Sequence, residues 1–306
     1  MSMPEPRKIA VVGLGSMGLG MAKSLLRDGP SVTGCDVSEE AKSRLMTHGG
    51  QTAPTPSEAA AGADIVVIVV VNAAQTEMVL FGAGGAVEAM RPGSVLICSP
   101  TMSPTEAKDF AARAETSGIL YLDAPISGGA VKAEAGKLTV MASGSSDAFA
   151  VARPALDAMA ETVYELGDAV GIGSSFKIVN QLLAGVHIAA ACEAITFAKS
   201  LDLDISRVYE VITRSAGNSW MFENRIPHVV AGDYTPMSAV SIFTKDLGIV
   251  SDIGRSRKFP LPIASAALQL FIMTEAAGMG RDDDSSVARL LAGIAGLTLP
   301  GMETEE

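Results

Sequence analysis

The sequence predicts an α/β protein in which a doubly wound parallel sheet is followed by an all-helical domain, with a long helix linking the two. Short β-rich runs alternate with helical stretches through the first half of the chain, and helical patterns alone follow. Such alternation is typical of βαβ units, and the continuously apolar run at 64–71 indicates a strand covered on both faces. With 306 residues, we predict two domains, at residues 1–167 and 168–306.

The elements follow from local patterns taken in chain order. Six strands are predicted, at residues 8–12, 31–36, 64–71, 94–99, 119–125 and 137–143. Helices are predicted from Ser16 to about Asp28 and from Ser38, and the longest helical pattern runs from Ser174 to Ser200. Shorter helical patterns follow at about 204–215, 237–255, 261–277 and 284–295. The acidic run 282–284 is typical of a helix N-cap and a negative first turn.

The composition excludes several classes of protein. Hydrophobic residues make up 48% of the chain and charged residues 19%, which argues against disorder. A net charge of -11 repels phosphate backbones and anionic lipid, so we predict no nucleic-acid or membrane partner. Three widely spaced cysteines indicate reduced thiols, and no metal site is predicted. No apolar signal segment precedes Ile9, and we expect a soluble cytoplasmic protein.

A glycine-rich turn follows the first predicted strand and opens the first predicted helix. Its spacing is G-x-G-x-x-G, and in this context it predicts a Rossmann dinucleotide-binding turn. The first glycine permits the turn, the second admits a pyrophosphate, and the third lets the helix pack on the strand. The predicted cofactor contacts here are Gly13, Leu14, Gly15, Ser16, Met17 and Gly18.

An acidic residue ends the second predicted strand. Asp36 is placed to accept hydrogen bonds from the adenosine ribose, and no arginine follows it to bind a 2′-phosphate. The cofactor predicted is therefore NAD rather than NADP. At the end of the run 64–71, Val71 and Asn72 are candidates for touching the cofactor, although Asn72 is equally typical of a turn.

Two further segments suit a small acidic substrate. Ser127, Gly128 and Gly129 follow a predicted strand, and their backbone N–H groups can converge on a carboxylate; an ordinary glycine-rich loop is the equal alternative. On the long helix, Lys177, Asn180 and Gln181 share one face that continues with apolar residues. We interpret this polar group as functional, the alternative being a solvated first turn.

Four segments in order, GLGSMGLGMA, DAPISGG, KIVNQ and FTKDLG, resemble the β-hydroxyacid dehydrogenases, which include 3-hydroxyisobutyrate dehydrogenase and tartronate semialdehyde reductase. The resemblance covers nearly the whole chain. It implies an N-terminal Rossmann domain, an all-helical C-terminal domain and a nicotinamide cofactor.

The resemblance also implies roles for individual residues. Lys177 becomes the catalytic lysine, Ser127–Gly129 the carboxylate-binding loop and Asn180 a substrate-orienting amide. Thr101 and Lys245 become contacts to cofactor and substrate. Members of the family often carry a second Asn where this chain has Gln181, which changes the shape of the pocket.

Three longer segments, NQLLAGVHIAAACEA, SAGNSWMFENRIPHVV and DYTPMSAVSIFTKDLG, look like the L-threonate dehydrogenase branch of the family. This resemblance implies oxidation of a four-carbon acid sugar at C2 and makes Asn218, Ser219 and Trp220 candidate contacts to its hydroxyls. Their alternative is a loop with a buried aromatic residue. Another hydroxy acid as substrate and a non-catalytic NAD-binding regulator remain alternatives. The long apolar helix predicts a homodimer or homotetramer.

Overall fold

In the computed structural model, which describes residues 7–302, a parallel sheet forms the centre of the first half of the chain. Its strands are β1 (Lys8–Val12), β2 (Ser31–Cys35), β3 (Gln51–Thr52), β4 (Ile65–Ile68), β5 (Val95–Cys98) and β6 (Leu120–Asp123). Their order is β3-β2-β1-β4-β5-β6, and every neighbouring pair is parallel. The order reverses between β1 and β4, and ligands of such sheets bind at this point, beyond the carboxyl ends of the strands. The doubly wound fold is confirmed.

Helices cover both faces of this sheet. They are α1 (Ser16–Arg27), α2 (Glu39–Thr47), α3 (Pro56–Ala60), α4 (Ala73–Phe81), α5 (Pro104–Glu115), α6 (Gly129–Ala135) and α7 (Ser146–Met159). Successive residues of β1 point to opposite faces, because the side-chain period of a strand is two. Ile9 and Val11 join one apolar cluster, and Ala10 and Val12 join another. Burial on both faces explains why the strands read as continuous apolar runs.

A second, smaller sheet contains β7 (Ile126–Ser127), β8 (Leu138–Ala142) and β9 (Ala160–Glu165). The pair β7–β8 is antiparallel and the pair β8–β9 is parallel. The strand predicted at 137–143 is therefore present, but it belongs to this second sheet. No strand was predicted at the positions of β3, β7 and β9. No strand follows Glu165 within residues 7–302, as expected.

Between β9 and residue 302 the regular structure is helical, and the helices surround an apolar core that includes Ile188, Ile226 and Phe271. The helices are α8 (Ile172–Ser200), α9 (Ile205–Ile212), α10 (Trp220–Ala231), α11 (Val240–Ser256), α12 (Pro262–Thr274) and α13 (Val287–Ile294). A π-helical turn, Glu275–Met279, follows α12, and a 3-10 turn, Asp284–Ser286, precedes α13. Of the helices α8 to α13, only α10 was not predicted. The observed ends of the others differ from the predicted ends by a few residues.

The chain divides into two compact units, Met1–Lys177 and Ile178–Glu306. The division lies inside α8 rather than at the predicted boundary of 167/168. The reason is local: Asp123, at the end of β6, accepts hydrogen bonds from the backbone at the start of α8 and holds that first turn within the first unit.

Two helical segments, α8 and Pro262–Met279, are long and apolar enough to cross a membrane when only length and composition are considered. Inside the protein, 50% of the most apolar window of α8 is buried, and 22% of that of Pro262–Met279. Such segments are weak evidence for a membrane span. Residues 1–6, on which the expectation of no signal segment partly rests, lie outside the described residues.

Candidate active site

The glycine turn between β1 and α1 has the geometry that each glycine was expected to provide. Gly13 has a φ of +95°, and a Cβ there would lie 2.7 Å from the Val69 carbonyl oxygen. At Gly18 a Cβ would lie 1.9 Å from the carbonyl oxygen of Gly13, so only glycine lets α1 start this close to the turn. At Gly15 a Cβ would meet nothing within 4 Å. The open side of the turn is therefore at Gly15, where a pyrophosphate would approach.

The start of α1 presents backbone N–H groups at this open side. Gly15 is the N-cap, and no side chain accepts a hydrogen bond there. Gly15 and Ser16 are exposed, Met17 is half-buried, and the side chain of Leu14 is buried in the core. The first N–H groups of a helix lack intrahelical acceptors and favour an anion. The turn thus fits the pyrophosphate of a dinucleotide.

Asp36 lies beside the same turn, as its position after β2 predicted. Its Oδ2 accepts a hydrogen bond of 2.6 Å from the Leu14 N–H, and its Oδ1 accepts one of 2.8 Å from the Ser38 N–H. These bonds fix the carboxylate, and each oxygen of a carboxylate has a second lone pair. Asp36 can therefore still accept hydrogen bonds from the two hydroxyls of a ribose.

The residues predicted after β4 and β5 lie in the loops that follow the carboxyl ends of these strands, just as the glycine turn follows β1. Asn72 is the N-cap of α4, and its Oδ1 accepts a hydrogen bond of 2.8 Å from the Gln75 N–H. This oxygen therefore has the turn function that was the alternative for Asn72. Val71 is exposed by 46%, and Thr101 is half-buried in the loop between β5 and α5. A contact of these residues to the cofactor stays a prediction.

A glycine loop and a buried lysine lie together in the first unit. Gly128, the residue between β7 and α6, and Gly129, the first residue of α6, have φ values of 136° and 77°. No side chain caps α6 at Gly128, so the N–H groups at the start of this helix are available to an anion. Lys177 is 8% exposed, and its Nζ donates a hydrogen bond of 2.8 Å to the carbonyl oxygen of Ile126. The structure therefore brings the predicted acid/base next to the predicted carboxylate-binding loop.

A buried carboxylate that was not predicted as a site residue fixes the helix that carries Lys177. Asp123 is 2% exposed, and its Oδ2 accepts hydrogen bonds from the N–H groups of Gly171, at 3.0 Å, and Ser174, at 2.8 Å. Its Oδ1 accepts the Ser174 hydroxyl at 2.7 Å. Burial raises the pKa of Asp123, although these bonds and the Ser143 hydroxyl act in the opposite direction. Asp123 therefore caps α8 one turn before Lys177.

In the second unit, four polar side chains form a continuous series. Asn180 Nδ2 donates to Gln181 Oε1 at 2.9 Å, and Gln181 Nε2 donates to Asp246 Oδ2 at 2.5 Å. Lys245 Nζ lies 2.7 Å from Asp246 Oδ1. Three of these residues were candidates, but Asp246, which is 1% exposed, was not. Its position in the FTKDLG segment was the available signal.

The segment before α10 has a structural function that the sequence did not predict. Ser219 is the N-cap of α10 and accepts a hydrogen bond of 3.0 Å from the Phe222 N–H. Asn218 Nδ2 donates to Glu223 Oε1 at 2.6 Å. Trp220 begins the helix and is 52% exposed, so the buried aromatic of the alternative interpretation is not found. A substrate contact of these three residues stays a prediction.

These features define what the first unit can do chemically. It combines a turn that fits a dinucleotide, a glycine loop that suits a carboxylate, and a buried amine able to transfer a proton. Such a set is suited to oxidation of a hydroxy acid, where a cofactor takes the hydride and a side chain takes the proton.

Comparison with known proteins agrees with this chemistry. Residues 8–167 match the family model of the NAD binding domain of 6-phosphogluconate dehydrogenase. Residues 171–291 match a second family model, which is described as NAD-binding of NADP-dependent 3-hydroxyisobutyrate dehydrogenase. The chain is 52% identical to L-threonate dehydrogenase of Cupriavidus necator, over 96% of this chain and 98% of that one. It is 46% identical to L-threonate dehydrogenase of Escherichia coli K12, over 97% of both.

A solved structure extends the match to the fold. The crystal structure of 3-hydroxyisobutyrate dehydrogenase from Salmonella typhimurium superposes with a TM-score of 0.89 and is 49% identical, covering 93% of this chain and 99% of that one. The resemblance drawn from the four sequence segments is confirmed. The chain belongs to the β-hydroxyacid dehydrogenase family and is an oxidoreductase that uses a nicotinamide cofactor.

Proposed function

We propose that the enzyme oxidises L-threonate at C2 to 2-oxo-tetronate with NAD as the acceptor. The observation that carries this proposal is the similarity of nearly the whole chain to L-threonate dehydrogenases, at 52% and 46% identity. The buried Lys177 beside the glycine loop supports oxidation of a hydroxy acid in particular. Binding of a cofactor alone would not need a proton-transfer group at a carboxylate-binding loop.

In this proposal the backbone N–H groups of Ser127–Gly129 bind the substrate carboxylate. Lys177 hydrogen-bonds the reacting hydroxyl and takes its proton at Nζ while C2 is oxidised. In the reverse direction, the ammonium stabilises the oxygen that gains negative charge and then protonates it. When bound, NAD supplies the hydride acceptor. Asn180 and Gln181 orient the substrate, and Thr101 and Lys245 contact cofactor and substrate.

Two other hydroxy-acid reactions use the same chemistry and are the alternatives. The Salmonella typhimurium structure is described as 3-hydroxyisobutyrate dehydrogenase, which favours 3-hydroxyisobutyrate as a second candidate. Reduction of tartronate semialdehyde is a third. The Asn180 amide, which Gln181 holds through a hydrogen bond, favours a substrate with several hydroxyls, because 3-hydroxyisobutyrate would give this amide less to bind.

A substrate panel tests the proposal. NADH absorbance is followed with L-threonate, D-threonate, L-erythronate and 3-hydroxyisobutyrate as substrates, and NADH consumption is followed with tartronate semialdehyde. We expect the highest kcat/KM with L-threonate. A higher kcat/KM with another acid would identify that acid as the substrate instead. No turnover with any of these compounds would favour an NAD-binding regulator.

Replacement of Asp36 should relax the choice of cofactor. The carboxylate would repel a 2′-phosphate, so Asp36→Ala should lower the ratio of kcat/KM for NAD over NADP by about tenfold, the equivalent of roughly 1.4 kcal/mol. The substitution also removes the acceptor of the Leu14 N–H, and both cofactors should bind more weakly.

Asp36→Asn separates these two effects, because the amide oxygen can still accept from Leu14 while the charge is lost. We expect it to lower the cofactor ratio with a smaller loss in NAD affinity. Steady-state kinetics with both cofactors measure the ratio. Equal use of NAD and NADP by the wild-type enzyme would show that Asp36 does not select the cofactor.

We also infer that the enzyme is a homodimer or homotetramer assembled through its helical unit. Large apolar side chains are exposed there on α8 and α12, and an interface between subunits would remove them from water. They include Val179 (61% exposed), Leu183 (49%), Phe197 (63%), Ile263 (68%) and Met273 (44%). Light scattering at micromolar concentration should give two or four times the monomer mass, and the monomer mass alone would refute the inference.

We place the enzyme in the cytoplasm. Three cysteines in the described chain, Cys35, Cys98 and Cys192, are unpaired and buried, which suits a reducing compartment. Cell fractionation with an antibody against the enzyme tests this, and recovery outside the cytoplasmic fraction would contradict it.

A further inference from the structure

The second unit contains a series of polar side chains whose members can be oriented in only one way. It runs from Lys245 through Asp246 and Gln181 to Asn180. Asp246 and Gln181 are buried, at 1% and 7% exposed, whereas Asn180 is half-buried at the end of the series. A fixed orientation matters here because the two ends of an amide have opposite hydrogen-bonding character.

The direction of the series is set by the ion pair. A carboxylate only accepts hydrogen bonds, so the end of Gln181 that faces Asp246 is its NH₂ group. Gln181 Oε1 therefore faces the other way and needs a donor. Asn180 Nδ2 supplies it at 2.9 Å.

One consequence is that Asn180 has a defined polarity. Its NH₂ group is directed to Gln181, which leaves its Oδ1 without a hydrogen-bond partner in the described part of the chain. Turning the Asn180 amide over would place Oδ1 against Gln181 Oε1, two acceptors in contact. Turning both amides over would place Gln181 Oε1 against the Asp246 carboxylate. Asn180 thus offers an acceptor to a ligand that donates.

The length of the Gln181 side chain makes this series of hydrogen bonds possible. An asparagine at 181 would be shorter by one carbon–carbon bond, about 1.5 Å, and from the same backbone position could not reach Asp246. Asn180 and Lys177 lie three residues apart on α8, so they share one face of the helix.

We propose that Gln181 is a positioning residue that fixes the Asn180 amide with its Oδ1 towards the substrate, where it accepts a hydrogen bond from the C3 hydroxyl, next to the reacting carbon. This inference rests on the proposed function, which supplies a substrate with hydroxyls at both C2 and C3. An acceptor held in this way discriminates against a substrate that lacks the C3 hydroxyl, because the amide oxygen then stays unpaired.

The test compares three substrates: L-threonate, its 3-deoxy analogue 2,4-dihydroxybutanoate, and its 4-deoxy analogue 2,3-dihydroxybutanoate of matching configuration. We expect the wild-type enzyme to prefer L-threonate over the 3-deoxy analogue by about 10- to 100-fold in kcat/KM, the usual effect of one unpaired buried group. The 4-deoxy analogue keeps the C3 hydroxyl and should lose about threefold or less.

Two substitutions break the series of hydrogen bonds at Gln181. Gln181→Met keeps a side chain of similar length, and Gln181→Asn shortens it. Each should lower the preference for the C3 hydroxyl to less than about a fifth of its wild-type value, because the loss in kcat/KM should be larger with L-threonate than with the 3-deoxy analogue. Asn180→Ala should lower the preference as well, and Gln181→Met added to it should have no further effect, because both act through one hydrogen bond.

Gln269→Met, an exposed glutamine on α12, is the control for the change of side chain, and thermal unfolding of every variant checks folding. An unchanged preference in both Gln181 variants overturns the inference. So does an equal loss with all three substrates, which would indicate a structural role, or additive effects of the Asn180 and Gln181 substitutions. A wild-type enzyme inactive with L-threonate overturns the proposed function, and the inference with it.

Discussion

Lys177→Ala should lower kcat by about 10²- to 10⁴-fold, the range contributed by a general acid/base, and leave NADH affinity close to that of the wild-type enzyme. The Lys177 Nζ lies at the carbonyl of Ile126, directly before the loop proposed to bind the substrate carboxylate. The open side of the dinucleotide turn is formed by Gly15 and the start of α1, at the end of a different strand, β1. Removal of the amine therefore takes away the proton acceptor and spares the phosphate-binding turn.

Single-turnover and steady-state kinetics measure the loss in rate, and fluorescence titration with NADH measures binding. Lys137→Ala removes an exposed lysine of the same unit and should leave both quantities unchanged. A Lys177→Ala variant that keeps more than about a tenth of wild-type kcat, well above the residual rate expected without an acid/base, would exclude Lys177 from that function. A collapse of NADH affinity instead would make Lys177 a cofactor contact.

Arg225→Leu should lower the free energy of unfolding of the helical unit by about 3–5 kcal/mol, the usual result of removing one partner from a buried ion pair. Arg225, on α10, donates from Nε to Asp284 Oδ1 at 2.6 Å, and the two side chains are 9% and 0% exposed. Without the guanidinium, the Asp284 carboxylate is left buried and unpaired. Urea unfolding followed by the fluorescence of Trp220, the one tryptophan of the chain, reports on this unit.

The loss should depend on pH in a defined direction. Burial already raises the pKa of Asp284 to about 6, although Arg225 acts to lower it. In Arg225→Leu the pKa of Asp284 rises further. Between this raised pKa and the ordinary pKa of about 4, the Asp284 carboxyl binds a proton in the folded state but not in the unfolded state. The stability that this proton supplies is present below about pH 4 and is lost as the pH rises through the raised value. The variant should therefore be closer to wild type at about pH 5 than at about pH 8.

Two further substitutions serve as controls. Arg255→Leu removes an arginine from the exposed pair with Asp252, in which the side chains are 79% and 73% exposed, and should cost less than about 1 kcal/mol. Arg225→Leu combined with Asp284→Leu removes both buried charges and should recover much of the loss. A loss in Arg225→Leu no larger than that in Arg255→Leu would show that the buried pair does not stabilise the unit.

The sequence predicts those parts of the fold and of the site whose residues lie close together in the chain. Gly13, Gly15 and Gly18 have fixed spacing within one turn, and Asp36 follows the adjacent strand, so their positions follow from the sequence alone. The central strands were recognisable because burial on both faces requires continuous apolar residues. Lys177 and Gln181 were recognisable because polar residues on an otherwise apolar helix face need partners.

The partners of those residues could not be derived, because they lie far away in the chain. Asp123 caps α8 from 51 residues earlier, Asp246 lies 65 residues after Gln181, and Asp284 lies 59 residues after Arg225. No periodicity relates such positions. The acidic run 282–284 illustrates the limit: Asp283 does cap the 3-10 turn, accepting from the Ser285 N–H, whereas Asp284 is a buried ion-pair partner.

The elements that were missed have weak or contradictory local patterns. In α10, Phe222, Ile226 and Val229 are buried at helical spacing, but Pro227 lies inside the helix, and an internal proline usually indicates a break. The strand β9 is largely exposed and follows α7 directly, so no apolar run marks it. A two-residue strand such as β7 is defined only by its pairing with β8.

L-Threonate deuterated at C2 tests the proposed reaction most directly, when it is incubated with the enzyme and NAD and the reduced cofactor is analysed by mass spectrometry. The reduced cofactor is expected to carry the deuterium, because the hydrogen leaves C2 as hydride while Lys177 takes only the hydroxyl proton. Reduced cofactor without deuterium would place the oxidation at another carbon, and no reduced cofactor at all would contradict L-threonate as the substrate.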